Sequence, residues 1–283
     1  MRFLIFDLIF KLILGSLGDK RIIGGKPVPI ATAAWQVDVD MVCGGSIISE
    51  WHILTAAHCI KDTDVPVFIH AGSSIKPGGI RRRVAKVIVH ERYGKEIDDK
   101  SDDIAILVLE NPLKFSKFVA PISLPPKGHK ISPGTKLYVT GWGDTKFDGL
   151  SPFRLHGTFV KVVPQEYCRK MYQFNIIDSM ICAGNLEDGK DTCNVICSQL
   201  PASIPLKSLS FKFQGDSGGP LALIEGDCQI LVGITSFGMD CGKKEAPAVY
   251  TRVESYLDWI QDRIEYGNFS SSALNLGLSE STM

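Results

Sequence analysis

Excess charge of either sign is missing from this sequence: its 283 residues carry 31 Lys and Arg against 31 Asp and Glu. No overall field therefore draws it to nucleic acid or to an acidic membrane surface, and any recognition by charge has to be local. The one sharp basic run, Arg81, Arg82 and Arg83, reads as a solvated loop or strand end, with a partner-binding patch as the alternative. Long apolar runs are missing after the first fourteen residues, so no later segment reads as a bilayer span. Helical periodicity is scarce, and no internal repeat stands out. The six histidines show no ligand spacing with cysteine or carboxylate, so no metal or cofactor is demanded, and those other than His58 read as free surface residues.

What is present is enough apolar content, 45%, for a large core in one big β domain or two smaller units. Short apolar or alternating runs recur between Gly, Pro and Asp punctuation, among them Cys43 to Ile48, His52 to Thr55, Val84 to Val89, Ile104 to Leu109, Leu137 to Thr140, Thr158 to Val163, Pro220 to Ile224, Ile230 to Ser236 and Ala248 to Val253. Many short strands at this spacing predict a sandwich or barrel. Val253, Tyr256, Leu257, Ile260 and Ile264 fall at helical spacing and predict one amphipathic helix closing the fold. The opening MRFLIFDLIFKLIL, followed by Gly15, Ser16 and Gly18, reads as a secretory signal peptide over 1–16, which suits a secreted, extracellular chain. Residues 267–283 are polar and serine-rich and read as a flexible tail, with the only glycosylation sequon at Asn268.

Three local motifs carry the chemistry. LTAAHC sets His58 at the end of an apolar strand, DDIAIL holds Asp103, and GDSGGP holds Ser217. The order His, Asp, Ser and the motifs around each resemble the chymotrypsin-like, trypsin-type serine proteases over essentially all of Ile22 to Ile264. That resemblance implies two packed six-stranded antiparallel β-barrels with a C-terminal helix, in a protease domain spanning 22–266. It also implies that His58 takes the proton of the Ser217 hydroxyl while Asp103 fixes the imidazole, with Asp102 left as a surface residue. Backbone N–H groups of Gly215 and Ser217 would receive the oxyanion.

The same resemblance supplies the remaining roles. DKRIIGG places a cleavage point after Arg21, so that 17–21 is a short activation peptide and the freed Ile22 ammonium pairs with Asp216. Asp191 aligns with the floor of a trypsin-like primary pocket, whose other positions are Ser236, Gly238 and Ala248, and Ser236 also matches the position that supports the buried aspartate. A carboxylate at the floor favours Arg or Lys at the cleaved bond, and Ala248 in place of glycine adds a methyl to the wall. Bridges Cys43–Cys59, Cys168–Cys182 and Cys193–Cys241 are implied; Leu137 and Leu223 stand where a further bridge would lie, and Cys197 and Cys228 are left to pair, stay free or compete with the pocket bridge. The His70 to Ile80 loop lacks the acidic residues that bind calcium in trypsins. Expected partners are protein or peptide substrates and protein inhibitors, with no nucleic acid, no membrane and a monomeric state.

One stretch breaks the pattern. Removing residues 194–213 leaves DTCQGDSGGP, continuous family sequence, so the insertion falls between the pocket floor and the oxyanion hole. Closure cost grows only logarithmically with loop length, so the fold tolerates it, whereas an ångström of misplacement in the site costs about a hundredfold in rate. A translated intron or gene-model error, a surface loop that spares the site, and a loop that makes an inactive homologue all stay open at this point.

Overall fold

Alternating apolar runs become the strands of two closed barrels in the computed structural model, which describes residues 25–60, 66–95, 100–143, 153–172, 175–184, 216–238 and 247–274. A two-residue strand β1 (Lys26–Pro27) comes first. The first barrel comprises β2 (Gln36–Val39), β3 (Cys43–Ile47), β4 (His52–Thr55), β5 (Phe68–Ala71), β6 (Ile80–Val89) and β7 (Ala105–Leu109), closed in the order β2-β3-β4-β7-β6-β5. The second comprises β8 (Lys136–Gly141), β9 (His156–Val162), β10 (Met180–Gly184), β11 (Pro220–Glu225), β12 (Cys228–Phe237) and β13 (Ala248–Arg252). Its order is β9-β10-β13-β12-β11-β8, closed by β8 pairing with β9, and β1 adds to the outer edge of β9. All these strand pairings are antiparallel.

Each barrel has its own core. Val37, Ile47, Ile53, Ile69 and Leu107 fill the first, while Leu137, Val160, Ile181, Leu221 and Leu223 fill the second. Leu137 and Leu223 thus belong to one apolar cluster at the place where the resemblance implied a missing bridge. A third cluster joins the barrels through Trp35, Leu54, Ile106, Trp142 and Ile234 and receives Ile260 of the closing helix. That helix begins as a 3-10 turn (Val253–Tyr256) and continues as an α-helix, Leu257–Leu274. Ile260 is wholly buried, so Ile260→Ala is expected to cost about 2–5 kcal/mol, read as a lower urea midpoint at unchanged slope.

Several features depart from the sequence reading. β2 and β10 were not anticipated, and neither was a short helix α1 (Gln165–Met171); the closing helix is therefore α2. Helix α2 runs to Leu274, past the Gly267 boundary set for the tail: once a helix is nucleated each further residue adds one hydrogen bond, so the weakly helical sequence after Gly267 can extend it. Of the two readings of Arg81, Arg82 and Arg83, loop or strand end, the strand end holds: they lie near the start of β6, paired with His70, Ile69 and Phe68 of β5. Three histidines read as surface residues are buried: His52, His90 and His156. The first two of these rings have partners that a linear pattern does not reveal, Ser49 Oγ at 2.8 Å from His52 Nδ1 and the Tyr256 and Trp259 rings beside His90, while His156 Nδ1 lies 2.7 Å from the Arg154 carbonyl. No described helix is long and apolar enough to cross a membrane.

Candidate active site

Strand register brings the first two motifs together. β4 and β7 pair with Thr55 opposite Ala105, so the chain leaving β4 toward His58 runs beside the chain that enters β7 from Asp103. His58 sits in a short 3-10 turn, Ala57–Cys59. Its main-chain N–H donates to Asp103 Oδ1 at 2.9 Å, and its Nδ1 lies 2.7 Å from Asp103 Oδ2. Asp103 is 3% exposed against 27% for the His58 side chain, so the carboxylate is sealed while the imidazole reaches solvent. The hydroxyl of Ser236, on β12, donates to Asp103 Oδ2 at 2.5 Å, and Thr251 Oγ1 on β13 donates to the Asp103 main-chain carbonyl at 2.8 Å. A carboxylate oxygen facing Nδ1 at this distance favours the tautomer with the proton on Nδ1, the one in which a neutral imidazole keeps its lone pair on Nε2.

Ser217 arrives from the second barrel. β11 begins at Pro220, opposite Ile234 on β12, which runs the preceding turn alongside Thr235 and Ser236. That turn is pinned by main-chain bonds: Gly219 N–H to Asp216 O at 2.9 Å, Gly218 N–H to Thr235 O at 2.8 Å, and Gly44 N–H of β3 to Ser217 O at 2.7 Å. Gly218 has φ +76°, and a Cβ there would lie 3.0 Å from Cys59 Sγ. His58 Nε2 lies 3.9 Å from that same sulfur. The residue after Ser217 and the Nε2 edge of the imidazole therefore share one neighbour, the Cys59 sulfur. Cys43 and Cys59 are bridged there, with Cα atoms 6.0 Å apart. The close grouping of Cys43, His58 and Cys59 is thus no metal site, since both sulfurs are committed to each other.

Asp216 turns its carboxylate toward the end of β8. Gly143 N–H donates to Asp216 Oδ1 at 2.7 Å. A Cβ at Gly143 would lie 2.2 Å from Asp216 Oδ2, so the main chain can come this close only without a side chain.

Of the other positions singled out in the sequence, Gly238 follows β12 and Ala248 opens β13 as a buried residue opposite Ala183. Cys168 of α1 is bridged to Cys182 of β10. Cys228 is exposed and in no disulfide. Asn268 lies within α2. Arg21, Ile22, Asp191, Cys193, Cys197, Gly215 and Cys241, together with residues 194–213, lie outside the described residues.

Asp102 is not the surface residue that the sequence suggested. It is 6% exposed, has φ +54°, and accepts hydrogen bonds from Arg92 Nη2 at 2.8 Å and from the Tyr256 hydroxyl at 3.1 Å. Burial, helped by the Asp102 charge, pushes the Tyr256 hydroxyl well above its ordinary range, so it stays protonated and donates. Burial likewise holds His90, 3.8 Å from the same carboxylate, below its ordinary value. No local motif announces this set, because Tyr256 comes from a distant segment and Arg92 lies ten residues before Asp102.

The family model described as Trypsin matches residues 22–194 and 203–260, and the break in the match falls within the extra stretch. The chain is 36% identical over 250 residues to Trypsin 5G1 of Aedes aegypti, covering 86% of this chain and 84% of that protein. It is 33% identical over 252 residues to Transmembrane protease serine 11G of Mus musculus, covering 86% of this chain and 55% of that protein. With two antiparallel barrels, the second of which hydrogen-bonds Asp103 of the His58–Asp103 pair through Ser236 and Thr251, and with matches over most of its length, the chain belongs to the trypsin family of chymotrypsin-like serine proteases.

Proposed function

We propose that this chain is a secreted trypsin-like serine endopeptidase, made as a zymogen and active once cut after Arg21. In this reading Ser217 Oγ attacks the carbonyl carbon of a peptide bond while its proton passes to His58 Nε2. The oxyanion that forms is held by the N–H groups of Gly215 and Ser217. His58 then gives the proton to the leaving amine, and water repeats the sequence on the acyl-enzyme. Cleavage follows Arg or Lys, selected by Asp191 in a pocket shaped by Gly238 and Ala248. The pairing of the freed Ile22 ammonium with Asp216 is the switch, because neither buried charge is stable alone. Residues 1–16 are removed on secretion, the protease domain spans 22–266, and the molecule works as a monomer on protein substrates, open to protein inhibitors.

The observation that carries this reading is the Asp103 carboxylate receiving both His58 N–H groups and the Ser236 hydroxyl, an arrangement that fixes one imidazole tautomer. The test is covalent labelling with a fluorophosphonate after cleavage at Arg21. The expected result is a single adduct on Ser217, with none on an Arg21→Gln chain exposed to the same activating protease.

The stretch 194–213 and the broken family match favour a second reading, an inactive homologue that holds proteins in the same cleft. If the cut chain stays unlabelled and a chain lacking 194–213 is labelled, the insertion silences the site. If neither is labelled, the enzyme reading is wrong.

A further inference from the structure

We infer that Lys76 is a positioning residue for the reaction: its buried ammonium, paired with Asp38 and set against the Trp142 ring, fixes the main chain that receives Asp216 beside Ser217. The inference rests on Ser217 being the nucleophile, but its test also reads the backbone directly.

Lysine is among the residues least often buried, yet Lys76 is 8% exposed. Its Nζ lies 2.5 Å from Asp38 Oδ1, while Asp38 Oδ2 lies 3.2 Å from His70 Nδ1. Asp38 belongs to β2 and His70 to β5, so this anchorage is entirely in the first barrel. The other side of the ammonium faces the second barrel, with Nζ 5.0 Å from the centre of the Trp142 ring. Attraction between an ammonium and an indole face is strongest where water is absent, and Trp142 is buried.

Hydrogen bonds around the lysine join the same two parts. Trp142 Nε1–H donates to the Ser74 carbonyl at 3.1 Å, Lys76 N–H to Phe153 O at 2.8 Å, and Leu155 N–H to Ser74 O at 2.6 Å. Trp142 is followed by Gly143, whose N–H holds Asp216, and Asp216 precedes Ser217. There is little slack in these links: a Cβ on Gly141 would already lie 1.9 Å from Asp216 Oδ1. Movement of Trp142 therefore transmits to the Asp216 carboxylate and the turn behind it.

Stability alone does not call for this ion pair. A buried pair can usually be replaced by neutral groups of similar shape without loss, whereas removing one partner strands the other charge. What a neutral replacement lacks is the contact between cation and ring, and this separates the two roles experimentally.

Three proteins decide it: the wild type, Lys76→Met, and the double variant Asp38→Asn/Lys76→Met, in which Asn can still accept from His70. Each is cut after Arg21 and assayed for kcat, KM, thermal midpoint and amide exchange at Gly143. Lys76→Met is expected to lower kcat by up to about a hundredfold with KM little changed, and to speed exchange at Gly143. The double variant is expected to recover the midpoint while kcat stays low and exchange stays fast. Recovery of kcat and exchange along with the midpoint would make Lys76 merely structural and overturn the inference. So would a single variant, or a double variant where the single does not fold, with wild-type exchange at Gly143 or wild-type kcat. If the wild type itself does not turn over, exchange alone decides, and that failure falls on the assignment of Ser217.

Discussion

Asp103→Asn is expected to lower kcat by about 10⁴-fold while leaving KM and the thermal midpoint close to wild type. The reason is the number of donors aimed at this carboxylate. Oδ1 accepts the His58 main-chain N–H at 2.9 Å, while Oδ2 faces both His58 Nδ1 at 2.7 Å and the Ser236 hydroxyl at 2.5 Å. An amide has only one oxygen to offer. If its NH₂ faces the main-chain N–H, two donors oppose each other; if it faces Nδ1, that nitrogen has to become an acceptor. The second arrangement keeps every hydrogen bond near the ring and moves the imidazole proton to Nε2. In the proposed mechanism a protonated Nε2 cannot take the Ser217 proton, so the loss appears in the chemical step and substrate binding is spared. Nitrogen NMR of His58 would show the changed tautomer, and a wild-type kcat in this variant would remove Asp103 from the mechanism.

Much of this site was legible because each part lies in a local motif at the end of a strand. His58 and Asp103 flank the paired ends of β4 and β7, and the runs HILT and AILVL are apolar enough to be seen without any structure. Other parts were illegible for a common physical reason, that their partners come from remote segments. Gln36–Val39 reads poorly as a buried strand because Gln36 and Asp38 interrupt it. Both nevertheless have polar neighbours: Thr140 Oγ1 donates to Gln36 Oε1 at 2.7 Å, and Asp38 forms ion pairs with Lys76 and His70. Asp102 and Lys76 look like solvent-facing charges until Arg92, Tyr256 and Trp142 are placed beside them. Helix α1 did leave a signal: Pro164 stands just before it, Glu166 is in its first turn, and Arg169 and Lys170 are in its last. Its length of seven residues is too short for periodicity to speak.

The second large effect is expected at Gly218. Its φ of +76° suits glycine, and an added methyl would meet Thr55 Oγ1 at 2.3 Å and the Gly44 carbonyl at 2.6 Å. A left-handed conformation costs a residue with a Cβ roughly 1–2 kcal/mol, and overpacking typically adds about 1–3 kcal/mol. Gly218→Ala is therefore expected to lose about 2–5 kcal/mol by urea unfolding. The strain can be relieved only if the turn withdraws from the first barrel, which breaks the 2.7 Å bond from Gly44 N–H to Ser217 O. In the proposed mechanism that withdrawal carries Ser217 away from His58, and a shift of about an ångström is expected to cost kcat roughly a hundredfold more. Adding Thr55→Ala separates the contributions. It removes the hydroxyl from the collision, but it also removes the 2.8 Å hydrogen bond which that hydroxyl donates to the Gly44 carbonyl, and it leaves the backbone angle as it is, so only part of the stability returns relative to Thr55→Ala alone. If kcat in Gly218→Ala equals that of the wild type despite the lost stability, the turn is free to move without consequence, and the two barrels are not what holds Ser217 in place.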